Sequence, residues 1–247
     1  MILVLLTILF ILFVLIGKNR GIKSFISLLL NFLIISITLL LIYFGLNPII
    51  TTMISCILIS LITIFYLNGI NIKTKASLIS IMIVLILIFI SILLLNNKLC
   101  IEGFSYESIE EIGSFSYNIN LNMKQIVIVV ILFSIMGAIS DTSMAISSAI
   151  YEINENTPEM NKKELFTSGM NVGKDILGTT INTLFFVFIS VFIGFFVWHY
   201  GENIIDIIND KEFVKEVIQV LFSFIGCILI IPITSLITVR MLKNKGN

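Results

Sequence analysis

Seven long apolar stretches constrain the fold of this chain more than any other feature of its sequence. They cover about residues 1–17, 24–44, 49–67, 76–95, 126–150, 176–200 and 214–239. A bilayer core about 30 Å thick needs roughly 20 apolar residues of helix, because in lipid each backbone amide must be bonded within its own segment. The sequence therefore predicts an all-α, polytopic transmembrane helix bundle of about seven spans, forming one integral membrane domain over residues 1–247.

The distribution of basic residues predicts how these spans are oriented. One set of alternate loops carries eleven of them: Lys18, Arg20, Lys23, Lys73, Lys75, Lys162, Lys163, Lys174, Arg240, Lys243 and Lys245. The other set carries four: Lys98, Lys124, Lys211 and Lys215. Because cytoplasmic loops hold the excess of Lys and Arg, we expect the amino terminus outside and the carboxyl terminus inside.

Composition excludes several classes of protein. Hydrophobic residues make up 58% of the chain and charged residues only 12%, which is incompatible with a water-soluble domain. The 15 basic and 15 acidic residues leave no basic excess to hold nucleic acid. Three cysteines and one histidine are too few for a structural metal cage, and no Walker or dinucleotide glycine motif is present. We expect the lipid bilayer as a partner, and no metal or cofactor.

Polar and small residues concentrate in the fifth and sixth predicted spans. At 3.6 residues per turn, one stripe contains Ser134, Gly137, Ala138, Asp141, Ala145 and Ser148. A second stripe contains Asp175, Gly178, Thr179 and Asn182. Small residues beside a polar one let two helices approach closely and bond across the contact. We therefore expect the stripes to face each other or a common neighbour, with Gly137 and Gly178 as helix-packing positions.

Asp141 is the most informative of these residues, because a carboxylate within the membrane costs a few kcal/mol and usually lines a path or pairs with a neighbour. Helix rise places it roughly 22 Å below the outer boundary, level with Asn182 at roughly 24 Å, whereas Asp175 lies at roughly 34 Å. Asp141 is expected to face the protein interior. It either lines an ion path or ties the two helices together through Asn182, Thr142 or Thr179.

The inner loop before the sixth span is predicted as a separate amphipathic segment on the membrane surface. It would begin near Thr157-Pro158-Glu159 and place Leu165, Phe166 and Met170 at helical spacing. Asp175 would then lie in the first turn of the sixth helix, where capping is enough to explain a carboxylate.

The polar residues of this region resemble the signature of the YibE/F family of multi-pass bacterial membrane proteins. The matching runs are DTSMAI at 141–146, Tyr151-Glu152, ELFTSGMNVGKDILGT at 164–179 and Asn182-Thr183-Leu184. Lys174 departs from the pattern, since the family more often has arginine there. The resemblance implies an integral protein of the bacterial cytoplasmic membrane, often encoded beside a paralogue, and supplies no biochemical activity.

Three functions are compatible with these residues. The first is a transporter or permease subunit, with a polar path between the fifth and sixth helices and Asp141 as a cation or proton site. The second is a non-catalytic assembly or regulatory subunit. Candidate path residues are Asp141, Asn182, Thr142, Thr179, Asp175, Asn171 and Glu152.

The third function is an intramembrane aspartyl protease that uses Asp141 and Asp175 as a dyad. Two carboxylates sharing a proton must lie within about 3 Å of each other, whereas helix rise separates these by about 12 Å in depth. The segment also lacks the second glycine of the Gly-x-Gly-Asp pattern typical of such proteases. We therefore expect that the protein is not an enzyme and has no catalytic residues.

The family resemblance, with its adjacent paralogue, leads us to expect a paralogous membrane subunit or a homo-oligomer as partner.

Overall fold

The computed structural model describes residues 1–99, 123–201 and 203–244, and every regular element in this part of the chain is helical. A short π-helical segment, Ile62–Tyr66, continues the second helix. The helices are α1 (Ile2–Tyr43), α2 (Pro48–Leu61), α3 (Ile72–Leu99), α4 (Met123–Asn156), α5 (Lys162–Trp198), α6 (Ile204–Asn209) and α7 (Lys211–Lys243). Lys245, counted above among the inner basic residues, lies outside the described residues.

Six of the described helices are long and apolar enough to cross a membrane, which confirms the multi-pass, all-α prediction. The number of separate helices differs from the seven predicted spans, because the first two both lie in α1. The later spans correspond to α2 with its π-helical extension, α3, α4, α5 and α7.

The first helix turns back on itself at Lys18, where the backbone is not helical (φ 47°, ψ −127°). The rings of Phe10 and Phe25 are 5.0 Å apart between centroids. Fifteen residues of straight helix would separate them by about 22 Å along the axis. A Cβ on Gly21 would overlap the carbonyl oxygen of Phe13, so glycine allows this close approach. The predicted spans 1–17 and 24–44 are thus the two arms of a hairpin.

Helix α4 lies at the centre of the bundle and packs against α2, α3, α5 and α7. Its inward face is a row of fully buried side chains, in which Ser143 separates the aliphatic Leu132, Ile135 and Ile139 from Ile146 and Ile150. Gly226 of α7 is in close contact with this row, since a Cβ there would lie 3.0 Å from both Ile135 and Ile88 side-chain carbons. Close approach of this kind strengthens van der Waals packing between helices in lipid, where helix association has no hydrophobic driving force.

Helix α5 is one continuous element, so the prediction of a separate surface segment before it is wrong. The helix begins at Lys162 with a capping box. The Asn161 side chain accepts from the Glu164 amide at 2.9 Å, and the Glu164 carboxylate accepts from the Asn161 amide at 3.0 Å. No proline interrupts the next 37 residues, and Leu165 is fully buried in the bundle. Asp175 therefore lies well inside α5, and its predicted capping role is also wrong.

The predicted inner loops meet at one end of the bundle, where the Lys243 ammonium donates to the Pro158 carbonyl at 2.9 Å. That this end is cytoplasmic remains a prediction. In a Cys100→Ser background, Lys163→Cys is expected to resist an impermeant thiol reagent added to intact cells, because the basic end should lie inside. Asp206→Cys should be labelled from outside. The reverse pattern would contradict the predicted orientation.

Candidate functional site

Buried hydroxyl groups make the polar contacts between the central helices. The hydroxyl oxygens of Ser77 on α3 and Ser147 on α4 are 2.6 Å apart, and those of Ser143 on α4 and Thr234 on α7 are 3.0 Å apart. All four side chains are fully buried. Sequence reasoning did not single them out, because serines scattered among Ile and Leu look unremarkable. The spacing of Ser140, Ser143 and Ser147 along α4 was the signal that could have found them.

Asp141 is not part of this buried network. It lies near the middle of α4, between Met123 and Asn156, so a bilayer core centred on the helix contains it. Its side chain is exposed at the surface of the single chain, and so are Gly137 and Ala145, one helical turn before and after it. In the part of the chain that the structure describes, no hydrogen bond or ion pair joins its carboxylate to another group. The expectation that Asp141 faces the interior is therefore wrong for the single chain.

The side chains proposed to tie Asp141 to its neighbours bond elsewhere or not at all. Thr142 is buried, and its hydroxyl donates to the Ala138 carbonyl at 2.8 Å within α4. The Thr179 hydroxyl donates to the Ile176 carbonyl at 2.8 Å within α5. Asn182 is exposed on the chain. A tie between α4 and α5 through these groups is not present among the described residues.

Helix α5 presents its polar residues on the side away from the bundle. It packs inward through Leu165, Gly169 and Gly173, which are buried. The exposed set comprises Asn171, Asp175, Gly178, Thr179 and Asn182. These five residues of α5, together with Gly137, Asp141 and Ala145 of α4, are called the polar stripes below. Glu152, the remaining candidate path residue, is exposed near the end of α4 and outside the stripes.

Two close contacts fix the register between α4 and α5. A Cβ on Gly169 would lie 2.5 Å from the Ile150 side chain, and a Cβ on Gly173 would lie 3.3 Å from the Ile146 side chain. A step of four residues towards the amino terminus of α4 thus corresponds to a step of four residues towards the carboxyl terminus of α5, as expected for antiparallel helices. Continued along the pair, this register sets Asp141 level with Gly178. Asp175 and Asn182 then lie about 4.5 Å and about 6 Å away in depth, on opposite sides. The predicted depths, with Asp141 level with Asn182 and about 12 Å from Asp175, are therefore wrong, because they start both helices at assumed outer boundaries rather than from a contact between α4 and α5.

The glycines of this region fall into two groups. Gly169, Gly173 and Gly226 are at helix contacts within the chain. Gly137 and Gly178 meet open space, since an added Cβ would have no atom within 4 Å. The predicted packing role of Gly137 and Gly178 therefore requires a surface from outside this chain, and it stays a prediction.

The lone histidine, His199, belongs to an aromatic cluster at the carboxyl-terminal end of α5. Its ring lies 4.1 Å from that of Phe195 between centroids, and its Nδ1 is 2.9 Å from the Phe195 carbonyl oxygen. Phe192 and Phe213 extend the cluster to α7, with rings 5.3 Å apart. Packing accounts for the histidine, as expected for an aromatic belt. Among the described residues, no three His, Cys, Asp or Glu side chains come together as metal ligands.

Comparison with known proteins gives one match. A family model described as YibE/F-like protein matches residues 5–244, which is nearly the whole chain. No curated protein and no solved structure matches it.

Proposed function

This chain belongs to the YibE/F-like family, and on that premise we propose that it is one subunit of a transporter in the bacterial cytoplasmic membrane. Its polar path would be formed where a second subunit covers the polar stripes. The observation that carries the proposal is Asp141, an exposed carboxylate without a partner among the described residues, in the middle of a spanning helix.

Contact between the polar stripes and lipid acyl chains is energetically unfavourable. A carboxylate in contact with acyl chains costs a few kcal/mol, whereas ionisable groups in membrane proteins typically face a bundle interior or a water-filled cavity. In this chain four buried hydroxyl groups of α3, α4 and α7 already bond to one another in pairs, and the stripes lie outside that network. A second protein surface over the stripes would remove them from lipid and enclose Asp141 in a polar path.

The partner we propose is a paralogous subunit or a second copy of this chain. Helix α5 offers the surface, because it packs on the bundle along only one side. The small residues Gly137, Ala145 and Gly178 would let a partner helix approach closely. No nucleotide-binding motif occurs in the sequence, so the energy source would be an ion gradient or another chain.

Ion flux into proteoliposomes tests this function. Vesicles would carry a pH-sensitive dye, and a Na⁺ or K⁺ gradient would be imposed with the protein reconstituted alone or with its paralogue. We expect gradient-dependent proton movement that exceeds the rate in protein-free vesicles. Equal rates with and without protein, in both reconstitutions and under both gradients, would contradict the proposal.

The small residues in the stripes favour a second candidate, a non-catalytic assembly subunit whose stripes serve only as helix contacts. That function would need the shape of Asp141 but not its charge. The protease hypothesis receives no support from contacts in the described residues, because no hydrogen bond joins the carboxyl groups of Asp141 and Asp175.

A further inference from the structure

A cavity of about 520 Å³ opens at the basic end of the bundle, and none of the residues that line it belongs to the polar stripes. It lies between the start of α3 and the ends of α4 and α7. Five of the residues that line it carry polar groups: Asn71, Lys75, Tyr151, Arg240 and Asn244. Residues from three separate parts of the sequence thus come together around one space.

The electrostatic character of this cavity is cationic. Lys75 and Arg240 line it from α3 and α7. The ammonium of Lys73 lies 5.6 Å from the centroid of the Tyr151 ring, which itself lines the cavity, so a third cation is held beside it. One carboxylate is close by, since Glu155 accepts a hydrogen bond from the Tyr151 hydroxyl. The residues that line the cavity thus include two cations and no acidic residue, which gives the lining an excess of positive charge.

The backbone of α3 adds to this positive potential. The helix begins at Ile72, and its first amide groups have no partner within the helix. Its first turn contains no acidic residue that would balance the positive end of the helix dipole. In α5, by contrast, Glu164 occupies that position. Asn71 and Ile72 line the cavity, so the start of α3 adds a partial positive charge beside it.

We infer that this cavity binds a phosphate group, carried by an anionic phospholipid headgroup or present as free phosphate. The Arg240 guanidinium can bond two phosphate oxygens at once, and the Lys75 ammonium provides a compact charge. The side-chain amide of Asn244 supplies a further donor, and that of Asn71, which donates to the Asn68 carbonyl at 3.2 Å, has a second N–H. Basic pockets at the cytoplasmic end of membrane helices are suited to lipid headgroups. The inference is independent of the transport proposal, since none of these residues lies in the polar stripes.

Two probes distinguish the sources of phosphate. In the first arm, the protein is placed in nanodiscs of phosphatidylcholine with phosphatidylglycerol, and retained phosphatidylglycerol is counted by native mass spectrometry. In the second arm, inorganic phosphate is added to nanodiscs of phosphatidylcholine alone, at constant ionic strength, and the unfolding temperature is followed. We expect a bound ligand in at least one arm for the wild type.

The double variant Lys75→Gln/Arg240→Gln is expected to bind the effective probe about tenfold more weakly, because it loses two charge-assisted contacts. The matched control is Lys162→Gln/Lys163→Gln, which removes the same charge from exposed positions at the same end of the bundle but outside the cavity. The control should bind as the wild type does. Equal loss in both double variants, or no binding of either probe by the wild type, would overturn the inference.

Discussion

Gly173→Leu is expected to lower the free energy of unfolding by about 2–3 kcal/mol, which is the upper part of the range for overpacking a well-packed core. A Cβ at this position would overlap Cγ2 of Ile231, and it would lie 3.3 Å from the Ile146 side chain. Both isoleucines are buried in the core, and Cγ2 sits on the branched carbon next to the backbone, so neither side chain can move away easily. Helix α5 would be pushed off α4 and α7.

Gly194→Leu in the same helix is the matched control. An added Cβ there meets no atom within 4 Å, and the residue is exposed. Thermal denaturation in mild detergent, followed by the loss of monodisperse protein, should separate the two variants clearly. Equal stability of Gly173→Leu and Gly194→Leu would show that α5 does not pack on the bundle as described.

Asp141→Asn is expected to abolish gradient-dependent flux in proteoliposomes while leaving the protein folded and inserted. Asparagine keeps the shape of the side chain and a hydrogen-bonding group, but it removes the charge and the ability to exchange a proton. The fold should not change, because the carboxylate has no partner among the described residues. Asp206→Asn in the short helix α6 is the control, and it should transport normally.

Asp141→Leu extends this test to the role of the side chain in the fold. Because Asp141 is exposed on the single chain, we expect the leucine variant to fold and insert as well as the wild type. It should be as inactive as Asp141→Asn. Normal flux in Asp141→Asn would instead support the assembly subunit, in which the stripes serve only as helix contacts.

The helices themselves could be predicted from the sequence, because length and apolarity alone decide which segments can cross a bilayer. The sequence also implies the reversal at Lys18, since the polar cluster of Lys18, Asn19 and Arg20 separates two apolar runs. The start of α5 was misplaced because Thr157 and Pro158 resemble a helix start. The Asn161–Glu164 capping box, a stronger signal four residues later, was overlooked.

The sequence predicts which residues form the polar faces of the candidate site, but it does not predict what those faces contact. Periodicity showed that Asp141, Gly178 and Asn182 lie on polar faces of their helices, but it cannot show what covers a face. In the structure these faces point away from the chain's own core. The basic cavity was beyond sequence reasoning altogether, since Asn71, Tyr151 and Arg240 approach one another only through the packing of α3, α4 and α7.

Photo-cross-linking that identifies what lies against the polar stripes within the membrane is the most direct test of the proposed subunit contact. A photoreactive p-benzoyl-phenylalanine would replace Ala145 in the stripe on α4 or, as control, Val191, an exposed residue of α5 on the opposite face from Asn182. Cells would be irradiated before the membranes are solubilised. At position 145 we predict a covalent adduct with a second protein chain, either another copy or the paralogue. At position 191 we predict adducts with lipid. Lipid adducts alone at position 145 would contradict the proposal that a second subunit covers Asp141.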